Sequence, residues 1–179
     1  MEKKPLQQPV SGSVIFMIII IFAVGGWMMY SNNNPPESDP RHNDDAVNMW
    51  VELGNSAVNA TKLENEANSC VSNNKDSQLI KGCLTGVRDK LVVIQDKING
   101  IQVNDMSAIN SFSEAKTNVT MGIETIKQWL DSYAKCFDKE LDSMSRGVQC
   151  DLSKEFMNQA NNYLRDAVVM IDANVKKLK

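Results

Sequence analysis

Apolar residues recur in alternating steps of four and three along most of the chain. Ile80, Leu84, Val87, Leu91, Ile94, Ile98 and Ile101 form one such stripe. A second runs through Ile109, Phe112, Val119, Ile123, Ile126, Leu130, Tyr133, Phe137, Leu141 and Met144, interrupted only by Lys116. A third joins Met157, Leu164, Val168, Ile171, Val175 and Leu178, with Phe156, Ala160 and Ala167 beside it. This heptad spacing places the apolar residues on one face of a helix and suits coiled-coil-like packing. A weaker pattern links Val47, Trp50, Val51, Leu53, Ala57, Val58, Ala60 and Ala67. Polar stretches with turn chemistry separate the stripes: Ser72 to Ser77, Asn99 to Asp105, and Ser145-Arg146-Gly147 with Asp151 and Ser153 behind it as caps. The pattern predicts four helices at 44–71, 77–100, 106–145 and 151–178. No alternating strand pattern of useful length competes with them. Short connections favour antiparallel neighbours, so the expected fold class is all-α, an up-down-up-down antiparallel four-helix bundle over residues 44–179.

The first 40 residues are of another kind. All five prolines lie there, so the remainder is permissive for long helices. Val14 to Tyr30 carries no charge and almost nothing polar. A bilayer-crossing helix needs roughly 17 to 25 apolar residues. With its serine flanks, 14–31 reads as a transmembrane signal-anchor, with Trp27 and Tyr30 at one interface. Lys3 and Lys4 precede it and an acidic, polar stretch follows. The positive-inside rule therefore puts a short tail, 1–13, in the cytoplasm and the domain outside. Residues 32–43, rich in proline and asparagine, read as a flexible linker. The competing reading is a cleaved signal peptide, with Ala23-Val24-Gly25 as a small-residue site; large apolar residues continuing through Met29 count against it. A type IV pilin-like leader is a third reading, with a basic tail and Gly12 before the apolar helix, but the glutamate that pilins carry early in that helix is absent. All three readings place the domain in a periplasmic or extracellular compartment.

That compartment changes the meaning of the four cysteines. An even set outside the cytoplasm reads as disulfides rather than catalytic or metal-binding thiols. Three pairings are open. Cys70 and Cys83 flank the first turn and Cys136 and Cys150 flank the third, and residues placed symmetrically about a helical hairpin face each other across it. The expected bridges are therefore Cys70–Cys83 and Cys136–Cys150. In a bundle that leaves the membrane through its first helix, both staples close the membrane-distal end. Each closes a loop of about 15 residues, contributing on the order of 3 kcal/mol in the chain-entropy model.

Charge and motif content narrow the function classes. The formal net charge is −3, with a pI near 5.2, which argues against nucleic acid as a partner. The single histidine, His42, falls in the linker, the cysteines lack CxxC spacing, and no phosphate loop, dinucleotide fingerprint, nucleophile elbow or HExxH motif occurs. No cofactor, metal or catalytic set is expected. Lys116 stands out inside an apolar stripe, either as a side chain snorkelling near the bundle end or as a counter-charge or register device. Trp50 and Trp129 suit a core, and tryptophan is also enriched at binding hot spots. Asn59-Ala60-Thr61 and Asn118-Val119-Thr120 fit the N-glycosylation pattern, which matters only in a host that glycosylates exported proteins.

The expected function is that of a membrane-anchored, extracytoplasmic, non-catalytic interaction protein, an accessory or scaffold subunit of a cell-envelope complex. Its partners would be the bilayer, through 14–31, and one or more envelope proteins. The alternatives are a sensor-like bundle that binds a small ligand and a secreted inhibitor released by signal cleavage. A heptad stripe can be buried within one chain or between copies, so a homo-oligomer stays open.

Overall fold

The computed structural model describes residues 40–103 and 109–178, with side chains from Asp45 onward. Those residues form four helices: α1 (Pro40–Asn73), α2 (Ser77–Gly100), α3 (Ile109–Cys136) and α4 (Ser143–Lys177). The stretch expected to cross a membrane, 14–31, lies outside the described residues. Among those described, no helix is long and apolar enough to span a bilayer.

Local chemistry fixes the helix ends. Pro40 opens α1, a position where its fixed φ is compatible with the helix and its missing N–H is not needed. Residues 40–43, expected as linker, are therefore helical. Asn74 ends α1 by donating its side-chain amide to the Cys70 carbonyl at 2.8 Å. Two residues later the Asp76 carboxylate accepts from the backbone N–H groups of Gln78 and Leu79, at 2.7 and 3.2 Å, and starts α2.

The third turn differs from the sequence reading. Instead of one helix to 145 and the next from 151, α3 stops at Cys136 and α4 begins at Ser143. Two aspartates explain the shift. Asp138 accepts from the Glu140 N–H at 3.1 Å, and Asp142 caps α4 by accepting from the Ser145 N–H at 2.8 Å and its hydroxyl at 2.7 Å. Such local bonds offer the backbone an alternative to helix continuation, and they outweigh an apolar stripe that runs on through Leu141 and Met144. Ser145, Arg146 and Gly147, expected as a turn, sit inside α4, as do Asp151 and Ser153.

The core is drawn from all four helices. Trp50, Leu53, Ala57 and Ala60 of α1, Val87, Leu91 and Ile98 of α2, Phe112, Ala115, Val119 and Ile123 of α3, and Ala160 and Ala167 of α4 are essentially inaccessible. Trp50 meets Phe112 edge-on, ring centroids 5.1 Å apart. Cross-helix partners give the orientation. Between α2 and α3 with the turn that follows it the polar pairs are Lys81–Asp138, Arg88–Asp131 and Gln95–Glu124, stepping seven residues up α2 and seven back along the other segment. Those helices are antiparallel and in heptad register. Between α3 and α4 the Asn118–Met170 contact and the Gly122–Leu164 approach run in the same opposed sense, and Cys70–Cys83 and Glu66–Lys90 do so for α1 and α2. A Cβ at Gly122 would lie 2.7 Å from the Leu164 side chain, so this glycine lets α3 and α4 approach closely.

Candidate functional site

Each of the two expected cysteine pairs is bonded. Cys70–Cys83 joins α1 to α2 with its Cα atoms 5.7 Å apart, and Cys136–Cys150 joins α3 to α4 at 4.9 Å. The first is nearly symmetric about its turn. The second is not: Cys136 is the last residue of α3, whereas Cys150 lies about two turns into α4. Because the helices alternate in direction, both staples lie at one end of the bundle, the tip.

The two stapled hairpins are tied to each other. The Lys81 ammonium of α2 donates to the Asp138 carboxylate of the α3–α4 turn at 2.7 Å. This hydrogen bond is the main reason the Asp138 carboxyl is held below its ordinary pKa, helped by the Glu140 N–H and the positive charge of Arg146, and it raises the Lys81 ammonium in turn. The Ser145 N–H and hydroxyl lower the Asp142 carboxyl. An aromatic ladder leads toward the tip along α3: Trp129 stacks on Tyr133 at 5.2 Å, and Tyr133 meets Phe137 edge-on at 5.2 Å. Burial raises the Tyr133 phenol.

Two concavities flank these features. One, of about 470 Å³, runs along the α2–α3 seam between Lys81, Arg88, Asp131 and Asp138. The other, of about 320 Å³, opens at the tip between the hairpins. Its walls are Val71, Ile80, the Cys136 side chain and Phe137, and its polar rim is Asn74, Lys75, Ser77, Lys139 and Arg146. Within the rim the Arg146 Nε is buried and has no hydrogen-bond partner. The same end of the bundle exposes Leu79, Met144 and Val148, at 62%, 81% and 52%.

The other sequence candidates fall elsewhere. Trp50 is fully enclosed and Trp129 nearly so, hence neither indole is presented at the surface. Lys116 reaches from α3 to the carbonyls of Asn99 and Ile101, both at 3.4 Å. Its charge thus sits at the C-terminus of α2, where the helix dipole favours a cation, and this accounts for a lysine in an apolar stripe. Asn59 is exposed on α1, whereas Asn118 is half-buried at the α3–α4 seam with its amide against the Met170 sulfur at 3.6 Å. One polar cluster was not anticipated. Lys127, 9% exposed, donates to Gln95 and, at 3.1 Å, to Glu124, which also accepts from Gln95 at 2.6 Å. The Gln95 amide, followed by Lys127, lowers the Glu124 carboxyl. Lys127 lies next to the buried Ile126 and two residues before the buried Trp129, and its sequence signal is Glu124 one helical turn earlier, the i,i+3 partner of its ammonium.

Among the described residues no group of three or more histidines, cysteines, aspartates or glutamates could hold a metal ion. The chain matches no protein family, no curated protein and no solved structure.

Proposed function

We propose that this chain is a membrane-anchored, non-catalytic interaction protein of the cell envelope, with 14–31 as its anchor and the bundle outside the cytoplasm. The observation that carries the reading is the tip. Two disulfides staple its hairpins, an ion pair joins them, and three large apolar side chains stand exposed around it. Val92, Val93, Met121 and Val169 are exposed elsewhere on the bundle, but at the tip Leu79, Met144 and Val148 accompany two staples and an ion pair, and apolar groups gathered at one rigid end favour association. Disulfides persist in oxidising compartments, which fits export of the domain. The uncharged run from Val14 to Tyr30 supplies the means of anchoring.

The test is isolation of the native chain from membranes in mild detergent after chemical crosslinking, with mass spectrometry of the products. The expected result is a full-length chain that resists alkaline extraction and carries a stoichiometric envelope partner. A freely soluble chain that begins near Gly26 would overturn the anchor in favour of a secreted protein. A full-length chain without any partner would overturn the interaction role.

A further inference from the structure

We infer that the tip pocket between the two stapled hairpins binds a carboxylate side chain, flanked by apolar residues, from an acidic segment of a partner protein. This rests on the interaction role proposed above and adds to it a site and a partner chemistry.

The argument starts from charge. Lys75, Lys139 and Arg146 converge on one pocket from the α1–α2 turn, the α3–α4 turn and α4. Among the described residues none of the three is in an ion pair. Three carboxylates of this end are engaged elsewhere: Asp76 and Asp142 cap helices, and Asp138 is bonded to Lys81, while Glu140, next to Lys139, acts on Lys81 through its charge. Arg146 also lends positive charge to Asp138, so the tip of an acidic chain keeps a cationic rim in which Lys75 and Lys139 are the side chains without a charge partner among the described residues. Arg146 sharpens the point. A guanidinium carries five N–H donors and no acceptor, and its buried Nε has no acceptor here. An unmade hydrogen bond at a buried donor is costly, and a guanidinium that swings toward the pocket to meet a carboxylate with its Nε and a terminal nitrogen, in the bidentate geometry that arginine favours, would relieve it.

The walls select among anions. Val71, Ile80 and Phe137 make the floor apolar, and about 320 Å³ is enough for a side chain but not for a folded element. A small inorganic anion would satisfy the cations and leave that floor wet. A glutamate or aspartate between apolar neighbours satisfies both, and Leu79, Met144 and Val148 at the same end offer further apolar area to the flanking residues.

The experiment is calorimetric titration of the full-length, oxidised protein in mild detergent with two acetylated and amidated peptides, one alternating leucine and glutamate and one alternating leucine and glutamine, at low salt. The expected result is binding of the glutamate peptide at least about tenfold tighter than the glutamine peptide. Arg146→Gln, checked for an unchanged melting temperature, should remove most of that difference, and so should Lys75→Gln combined with Lys139→Gln. The inference is overturned if neither peptide binds, if both bind alike, or if the folded variants keep the full preference. It is also overturned if inorganic phosphate displaces the glutamate peptide from a site that ignores its leucines, since that is a small-anion site. Failure here is distinct from failure of the interaction role: an envelope partner still crosslinked to Arg146→Gln would keep the role and move it away from this pocket.

Discussion

The two sides of α3 are built on opposite principles. Toward α4 the seam is apolar and close, with Gly122 against Leu164 and small residues such as Ala115, Ala160 and Ala167 admitting the neighbouring backbone. Toward α2 the seam is lined by polar pairs at heptad steps and keeps a cleft of about 470 Å³. Close apolar contact is hard to undo piecemeal because each atom depends on its neighbours. Exposed ion pairs are individually weak. The difference teaches that α3 and α4 form the fixed half of the bundle, whereas α2 is held mainly by one apolar stripe, a disulfide to α1 and the polar ladder.

The disulfides break this comparison most strongly. Their loops are nearly equal, 13 and 14 residues in separation. Chain entropy alone assigns removal of either about 3 kcal/mol. Replacing Cys70 and Cys83 with serine should produce that loss and also let α2 amides exchange before the rest of the protein. Replacing Cys136 and Cys150 should produce a similar loss in denaturant titration while α3 and α4 amides still exchange only with global unfolding. Equal local loosening of both hairpins would show that the two seams are equivalent.

Glycine substitutions probe the same contrast with opposite signs. Gly122→Ala should destabilise by about 1–2 kcal/mol, because the added methyl meets the buried Leu164 and the cost exceeds the helix-propensity gain. Gly86 lies on the exposed face of α2 with nothing near its missing Cβ. Gly86→Ala should therefore stabilise by about 0.5–1 kcal/mol. Thermal melts of the two variants decide the point, and a gain at position 122 would mean that α3 and α4 are not in close contact.

The helices and the staples were legible in the sequence, but the asymmetry of the seams was not. The stripes from Ile80 to Ile101 and from Phe112 to Leu130 gave the helices and their buried faces, since periodicity reports burial directly. The disulfide pairing also followed, although for Cys136–Cys150 the assumed symmetry was off: the turn lies at 137–142 and not at 145–150. That turn was hidden because two aspartate side chains decide it against a continuing apolar stripe, and such a contest between local bonds and periodicity has no clear winner in one dimension. Lys116 was visible as an anomaly, but its role needed the end of α2 beside it. Arg146 and Lys127 were not legible, because each acquires meaning from residues on other helices. The charges at 81 and 88 and at 124, 131 and 138, with the polar Gln95, were present in the sequence; only the antiparallel register turns them into pairs.

The ladder's titration is the gentlest way to sharpen the contrast. Asp138 and Glu124 both have carboxyls lowered by their partners across the α2–α3 seam, the Lys81 ammonium and the Gln95 amide respectively. A group with a depressed pKa in the folded state contributes stability at pH values above its unfolded pKa and loses it as pH falls through the folded one. For Asp138 the loss therefore begins as pH drops toward the ordinary value of 3.8 and completes below it. Lys81 is raised, so its contribution is full below the ordinary value of 10.5 and fades only as pH climbs beyond that. The pairing is intact across the whole neutral range and fails first in acid. The α3–α4 seam depends on apolar contact and lacks this dependence, although Asp142, which caps α4, also titrates in acid. Hydrogen exchange followed from pH 6 down to pH 3 should show α2 amides losing protection while those around Gly122 keep it. In Asp138→Asn the pH-dependent part of the α2 loss should shrink, since an amide can still accept from Lys81 but no longer titrates. If α2 and α3 lost protection together at every pH, the polar ladder would contribute nothing separate from the core, and α2 would belong to the same cooperative unit as its neighbours.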